Sequence, residues 1–151
     1  MKKIRIAMCL AIVMLLAACG TNGLDISKLE KSQYNEADKS PDVVMTLDST
    51  TVAKGTETIA AHLENSSDAE FTFGVDPHLD VESGGVWYTV PTVEGAAWIE
   101  IAYILEANGS SDYDFALKTF YGSLPAGHYR IVRPLYTEAG STFALAEFTI
   151  K

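Results

Sequence analysis

Cysteine is nearly absent from this chain. The sequence has two cysteines, Cys9 and Cys19, and none after residue 19. A disulfide framework, a cysteine nucleophile and a cysteine-ligated zinc site are therefore excluded for the C-terminal part of the chain. A domain in that part must be stabilised by an apolar core.

Basic residues are also few. The chain has 11 basic and 20 acidic residues, and Lys2, Lys3 and Arg5 precede the first acidic residue. Without residues 1–18 the chain would keep 8 basic and 20 acidic residues, a net charge of −12. Such acidity argues against binding to nucleic acid or to anionic lipid, both of which require cationic patches. Solubility explains the charge better than a metal-binding or cation-binding role.

Catalytic and metal-binding patterns are absent as well. Serines occur outside any Gly-x-Ser-x-Gly motif, and Asp112 and Asp114 fall on the solvent side of a predicted strand. His62 and His128 are out of phase with their apolar neighbours, on strands expected in opposite sheets. The acidic cluster over residues 76–80, with His78, lacks the spacing of a calcium loop. We therefore predict no catalytic residues, no metal site and no cofactor.

Residues 1–19 have the pattern of a bacterial lipoprotein export signal. Three cationic residues precede an apolar run over residues 6–16, which is short for a membrane span. Leu16, Ala17 and Ala18 then lead into Cys19, as in a lipobox. The sequence predicts cleavage after Ala18, lipidation of Cys19, and a location outside the cytoplasm on the bacterial cell membrane.

Residues 19–41 are predicted to be the lipidated cysteine and a flexible tether. The segment is polar and ends at Pro41, and Leu24, Ile26 and Leu29 would form little more than one helical turn. A coil of this length would span roughly 25 Å on average.

Residues 42–151 have the pattern of a β domain. Short alternating runs are separated by turn signals, and helical periodicity longer than two turns is lacking. The pattern predicts strands near residues 43–47, 58–64, 71–73, 98–105, 113–117, 128–134 and 142–150, with a hairpin over residues 79–90. Phe143 and Leu145 are out of phase with Phe148 and Ile150, which predicts a bulge near residues 146–147.

Period-two alternation also predicts which side chains form the core. The residues expected to be buried are Ile59, Ala61, Leu63, Phe71, Phe73, Tyr113, Phe115, Leu117, Tyr129 and Ile131.

Three stretches of this domain resemble a known family. They are residues 58–74, residues 86–91 (VWYTVP) and residues 124–132 (LPAGHYRIV). Together they are similar to the group 14 bacterial immunoglobulin-like domains, over about Val43 to Ile150. The resemblance implies an all-β, immunoglobulin-like Greek-key sandwich of about 7–9 strands in an exported protein. It implies no catalytic residues.

Tyr129 follows the Leu-Pro-Ala-Gly turn as the tyrosine of a tyrosine corner does. Ile131, two residues later, and Ala61 on the second strand would then occupy the space of an absent disulfide. The alternative is that Tyr129 is simply a core aromatic residue.

Most aromatic residues at strand spacing belong to a core, but Trp87 and Trp98 cannot be assigned to a face. They are the weak candidates for ligand binding. The sequence favours a membrane-anchored, non-enzymatic binding or interaction module at the cell envelope, with an unidentified protein or cell-wall partner. The alternative is a small envelope hydrolase or protease-inhibitor-like effector that uses loops 76–80 or 92–97.

Overall fold

The structure, a computed structural model, describes residues 23–76 and 78–151. Within these residues the chain forms ten β-strands, one short α-helix and two 3-10 turns, at Ile26–Lys28 and Glu36–Asp38. The predicted signal peptide over residues 1–18 and the predicted lipidation site Cys19 lie outside the described residues. The strands and the helix are β1 (Val43–Leu47), β2 (Thr51–Val52), β3 (Ile59–Asn65), β4 (Phe71–Phe73), β5 (Leu79–Ser83), β6 (Val86–Thr89), β7 (Tyr103–Leu105), β8 (Ser110–Phe115), α1 (Leu117–Tyr121), β9 (Gly127–Thr137) and β10 (Gly140–Ile150).

In the described chain the strands form two sheets. The smaller sheet is antiparallel, with β3 between β1 and β8. The larger sheet has the order β2-β10-β9-β4-β7, and the β5–β6 hairpin joins it because β5 pairs with β9. The two sheets enclose one apolar core, which confirms the predicted all-β sandwich.

The core follows the period-two alternation. In β3, Ile59, Ala61 and Leu63 are buried while Ala60 and Glu64 are exposed. Nine of the ten predicted core residues are buried, and the exception, Tyr113, is half-buried. Tyr113 lies on β8, which pairs with β3 on one side within the described chain, so its ring borders an open side of the sandwich.

Tyr129 forms the predicted tyrosine corner. Its hydroxyl donates a 2.9 Å hydrogen bond to the carbonyl oxygen of Pro125, and the residue has no exposed surface. Ile131 and Ala61 lie in opposite sheets and belong to the same buried core, as the sequence predicts. The corner fixes the turn that leads into β9.

The predicted bulge near residues 146–147 is wrong. The pairing of β9 with β10 continues unbroken from Gly140 opposite Thr137 to Ile150 opposite Gly127. Phe143 is out of phase because it is buried on the outer face of the larger sheet, where its ring lies 5.1 Å from that of Tyr34. An apolar residue on that face needs no change of register.

Two predicted strands have other bounds than expected. Residues 98–102 do not pair, because β4 is only three residues long and its last residue, Phe73, pairs with Tyr103. The strand predicted over residues 113–117 is shifted: β8 begins at Ser110 and ends at Phe115, which pairs with Ile59, the first residue of β3. Leu117 is buried as predicted, but it begins α1.

The N-terminal segment, residues 24–41, packs against the sandwich. Thr89 N–H donates to the carbonyl of Glu30, and Ser32 N–H donates to the carbonyl of Trp87, so residues 30–32 extend the sheet beyond β6. Leu24, Ile26 and Leu29 pack on the core. The prediction of a flexible tether is wrong for this segment, because its apolar residues pack against the sandwich. The sequence alone does not show that the folded domain offers a surface for them.

Candidate functional site: an apolar platform beside two clefts

Trp87, one of the two predicted ligand-binding candidates, belongs to a structural cluster. Its half-buried ring lies 4.5 Å from the guanidinium carbon of Arg130 and 5.3 Å from the ring of His128. Arg130 is almost fully buried, and its Nε donates a 2.8 Å hydrogen bond to Asp80 Oδ2. Trp87 therefore covers a buried ion pair, and its contacts explain its position without a ligand.

The N-terminal segment completes this cluster. Arg130 Nη2 donates to the carbonyl of Tyr34 at 2.7 Å, and the Ser32 hydroxyl donates to Asp80 Oδ2 at 2.6 Å. The segment thus covers the β5, β6 and β9 part of the outer face of the larger sheet. Beyond Tyr34 and Phe143 the described residues leave this face open, with Ile104 and Tyr136 exposed.

Trp98, the second candidate, lies on that open part. It is 42% exposed, and its ring meets the edge of Phe120 at 6.1 Å. Exposed apolar side chains surround it, and we call this group the apolar platform. Its members are Trp98, Ile99, Ile101, Ile104 and Tyr136, each at least 42% exposed.

Strand register explains why part of the platform is continuous. Thr72 of β4 pairs with Ile104 of β7 on one side and with Tyr136 of β9 on the other. Directly paired residues point to the same face of a sheet, so these three side chains form one row across three strands. The loop that carries Trp98, Ile99 and Ile101 lies beside this row, because all three line a groove together with Thr72 and Tyr136.

The platform groove has a volume of about 470 Å³. Its walls are the loop residues 98–102, Tyr136, and residues 72–76, which run from β4 into the loop that follows it. Two carboxylates, Asp76 and Glu100, belong to the lining. The loop itself is held to the domain upstream of the platform, where Val93 N–H donates to the carbonyl of Phe120 at 2.8 Å.

A second cleft of about 310 Å³ opens between the two sheets. Its apolar lining includes Phe73, Tyr103, Tyr113 and Phe120, and Arg133 also belongs to it. The two clefts share residues 73–75, which form the wall between them.

Arg133 holds that wall in place. It is 2% exposed, and its Nη1 donates to the carbonyls of Gly74 at 2.6 Å and Asp76 at 3.1 Å. Its guanidinium carbon lies 4.5 Å from the centre of the Tyr113 ring. Burial raises the pKa of the Tyr113 hydroxyl, although the Arg133 charge opposes this effect. That hydroxyl is therefore neutral at physiological pH and donates to Met45 Sδ, so it is no general base.

The histidines lie apart and each has a carboxylate neighbour. His62 lies 2.6 Å from Asp112, His78 2.8 Å from Asp76, and His128 3.0 Å from Glu147. His62 is on the smaller sheet and His128 on the larger one, as the sequence predicts. Among residues 23–76 and 78–151, histidine, cysteine and carboxylate side chains form no group of three that could hold a metal ion.

Two carboxylates of the loop over residues 76–80, proposed for the alternative, enzyme-like function, are engaged by neighbouring side chains. Asp80 is 2% exposed and paired with Arg130. Asp76 is paired with His78, and the groove that it borders is lined largely by apolar side chains.

Sequence reasoning missed most of the platform. It predicted a strand over residues 98–105, in which half of the side chains would face the core, so Ile99, Ile101 and Ile104 were not expected to be exposed together. The exposure of Tyr136 depends on its pairing with Thr72, which a single sequence does not reveal. The apolar run around Trp98 contains few turn residues. This composition is shared by strands and by exposed apolar loops, so it does not by itself predict the platform.

Comparison with known proteins identifies the family. A family model described as a bacterial Ig-like domain matches residues 39–148. The chain therefore belongs to the bacterial immunoglobulin-like domains, as the motifs predict. Membership indicates a binding or interaction domain rather than an enzyme, of a kind typically found outside the cell or exposed at its surface.

Similarity to individual proteins is remote. No curated protein matches the chain. Among solved structures, the Pseudomonas fluorescens alkylpurine DNA glycosylase AlkC, bound to DNA containing an abasic site analogue, is 15% identical with a TM-score of 0.41. The match covers 73% of this chain and 30% of the glycosylase chain, so the chain spans less than a third of that protein. The ASH/PapD-like domain 7 of human CEP192 is 14% identical with a TM-score of 0.32, over 84% of this chain and 93% of that domain.

Proposed function

We propose that this protein is an extracytoplasmic lipoprotein, anchored to the bacterial cell membrane through lipid on Cys19, whose Ig-like domain is a non-enzymatic binding module at the cell envelope. The observation that carries the binding role is the apolar platform. Five large apolar side chains are exposed side by side on an otherwise acidic domain. Exposed apolar groups of this kind mark interaction sites in soluble proteins.

The export signal predicted from the sequence supports the anchor. A diacylglyceryl group on Cys19 would supply two acyl chains, which stable membrane attachment requires. Over residues 23–76 and 78–151, no helix has the length and apolar character needed to cross a membrane.

The packed N-terminal segment adds a geometric consequence. Residues 20–23 separate Cys19 from Leu24, which packs on the core. A fully extended link of this length reaches roughly 18 Å, so the domain would be held close to the bilayer surface.

Lipidation is tested by intact-mass measurement of the protein purified from membranes. We expect a chain that begins at Cys19 and carries a diacylglyceryl group. Cys19→Ala should leave an unprocessed precursor or release the protein to the soluble fraction. An unmodified mass that begins at Met1 in the wild type would contradict the anchor.

The binding role is tested by capture of partners with the detergent-solubilised full chain from envelope extracts, followed by mass spectrometry. We expect a partner whose recovery is lost when Ile99 and Ile101 are both replaced by serine. Turnover of a peptide or cell-wall substrate that one substitution in the domain abolishes would instead show an enzyme.

A further inference from the structure

The basic residues of this protein are unevenly distributed. Between Lys54 and Lys118 the sequence has 12 acidic residues and no lysine or arginine. This stretch includes β3 to β8 and the loop that carries most of the platform. Uniform acidity would suffice for solubility, so the absence of cations over this long stretch requires a further explanation.

The arginines do not offset this charge at the platform. Arg130 and Arg133 are both nearly buried, at 1% and 2% exposure. Arg130 is paired with Asp80, and the Nη1 of Arg133 donates to main-chain carbonyls behind the groove wall. Among the described residues, no lysine or arginine lines the platform groove, whereas Asp76 and Glu100 do.

Two carboxylates of the platform loop are available to a partner. Asp76 and Glu100 line the groove, and Glu94 lies earlier in the same loop. Among the described residues, Glu94 and Glu100 have no cationic side chain within ion-pair distance, whereas Asp76 is paired with His78. Apolar groups and unpaired carboxylates therefore occur side by side.

We propose that the apolar platform binds a cationic polypeptide segment, with its apolar side chains against Trp98, Ile99 and Ile101 and its lysine or arginine side chains near Glu94 and Glu100. This inference rests on the proposed binding function and names the partner's chemistry. Charge complementarity selects this partner, because it speeds association and disfavours partners of the same sign.

The same charge argues against two other occupants. A second copy of this chain would bring another acidic surface, with like charges facing each other. An anionic bilayer would be repelled, since binding to it requires lysine and arginine.

The probe is a short fluorescein-labelled peptide of alternating lysine and leucine, which in an extended conformation presents all its leucines on one side. Binding is measured by anisotropy with the full chain reconstituted in neutral phosphatidylcholine vesicles, and empty vesicles give the background. Peptides of alternating glutamate and leucine and of alternating lysine and serine are the controls. We expect saturable binding of the lysine–leucine peptide that weakens with added salt, and much weaker binding of both controls.

Two pairs of variants locate the site. Ile99→Ser combined with Ile101→Ser should weaken binding about tenfold or more. Glu94→Gln combined with Glu100→Gln should weaken it and reduce its salt dependence. The matched controls are Val44→Ser and Glu64→Gln, an exposed apolar residue on β1 and an exposed acidic residue on β3, which should leave binding unchanged. All these positions are exposed, so the variants should fold.

Several results would overturn the inference. Equal binding of the lysine–serine peptide would show attraction by charge alone, and equal weakening by Val44→Ser would place the site elsewhere. Quenching of tryptophan fluorescence by lipids brominated in their acyl chains, lost in Trp98→Phe, would show that the platform contacts the membrane. If the full chain captures an envelope partner that the Ile99/Ile101 double variant also captures, the proposed function stands and this site is wrong.

Discussion

At the level of single residues, alternation along the strands determines which side chains are buried. Phe115 is 2% exposed and its ring stacks on that of Tyr121 at 6.1 Å, while its neighbour Asp114 is exposed. Truncation of Phe115 removes core contacts, whereas truncation of Asp114 removes only a solvated charge.

Phe115→Ala should therefore lower the free energy of unfolding by about 3–5 kcal/mol, because it leaves a cavity in the core. Asp114→Ala should change it by less than about 0.5 kcal/mol. Chemical denaturation of both variants measures the difference. Equal stability of the two variants would mean that the register of β8 is wrong.

Tyr129 gives a second prediction at this scale. Its hydroxyl bonds to the Pro125 carbonyl inside the core, and burial raises its pKa to about 12. Tyr129→Phe leaves that carbonyl without its partner and should cost about 1–3 kcal/mol.

The raised pKa of Tyr129 also sets the pH range of its effect. The folded protein favours the neutral phenol, so this contribution to stability is complete below the unfolded pKa of about 10 and is lost as pH rises towards 12. Thermal melts from pH 8 to pH 11 should show a steeper loss of stability above pH 10 in the wild type than in Tyr129→Phe. If stability falls with pH in the same way in the wild type and in Tyr129→Phe, Tyr129 does not control alkaline unfolding. Tyr121 is also buried and its pKa is also raised, and it contributes equally to the curves of the two proteins.

At the level of elements, the sequence predicted those strands that have turn residues at both ends. It also predicted the tyrosine corner. It failed where an element depends on a partner distant in sequence. Residues 98–102 have strand-like composition but no strand beside them, since β4 ends at Phe73. The platform is exposed for this reason.

The N-terminal segment is the second failure of this kind. Its polar composition is typical of a linker, yet it pairs with β6 and contributes the Tyr34 carbonyl to buried Arg130. The outer face that receives it consists of residues from β5, β6, β9 and β10, and their proximity is a property of the fold. Unpaired edge strands promote association, so the segment also protects the edge of β6.

Removal of residues 1–41 should therefore destabilise the domain and expose that edge. The lost hydrogen bond from Arg130 to Tyr34 alone is worth about 1.5–3 kcal/mol, because the donor is charged. A chain that begins at Asp42 should melt at lower temperature and sediment as oligomers, while one that begins at Gly23 should be stable and monomeric. Identical melting of the two truncated chains would show that the segment contributes nothing to stability.

At the level of the whole molecule, one face of the larger sheet is divided between two roles. The N-terminal segment covers the β5, β6 and β9 part, and Tyr136 borders both the segment's contact region and the open platform. The segment also leads towards the proposed anchor. A domain held near the bilayer would thus present its apolar platform within the acidic part of its surface, where a cationic partner is attracted.

The most direct test of the binding role is site-specific photo-crosslinking of the full chain in living cells. A photo-reactive amino acid in place of Ile99, on the platform, is compared with one in place of Val44, which is also apolar and is 56% exposed on β1. We predict a discrete crosslinked protein from position 99 and none from position 44. No crosslink at either position, or the same products from both, would contradict the claim that the platform is a specific binding surface.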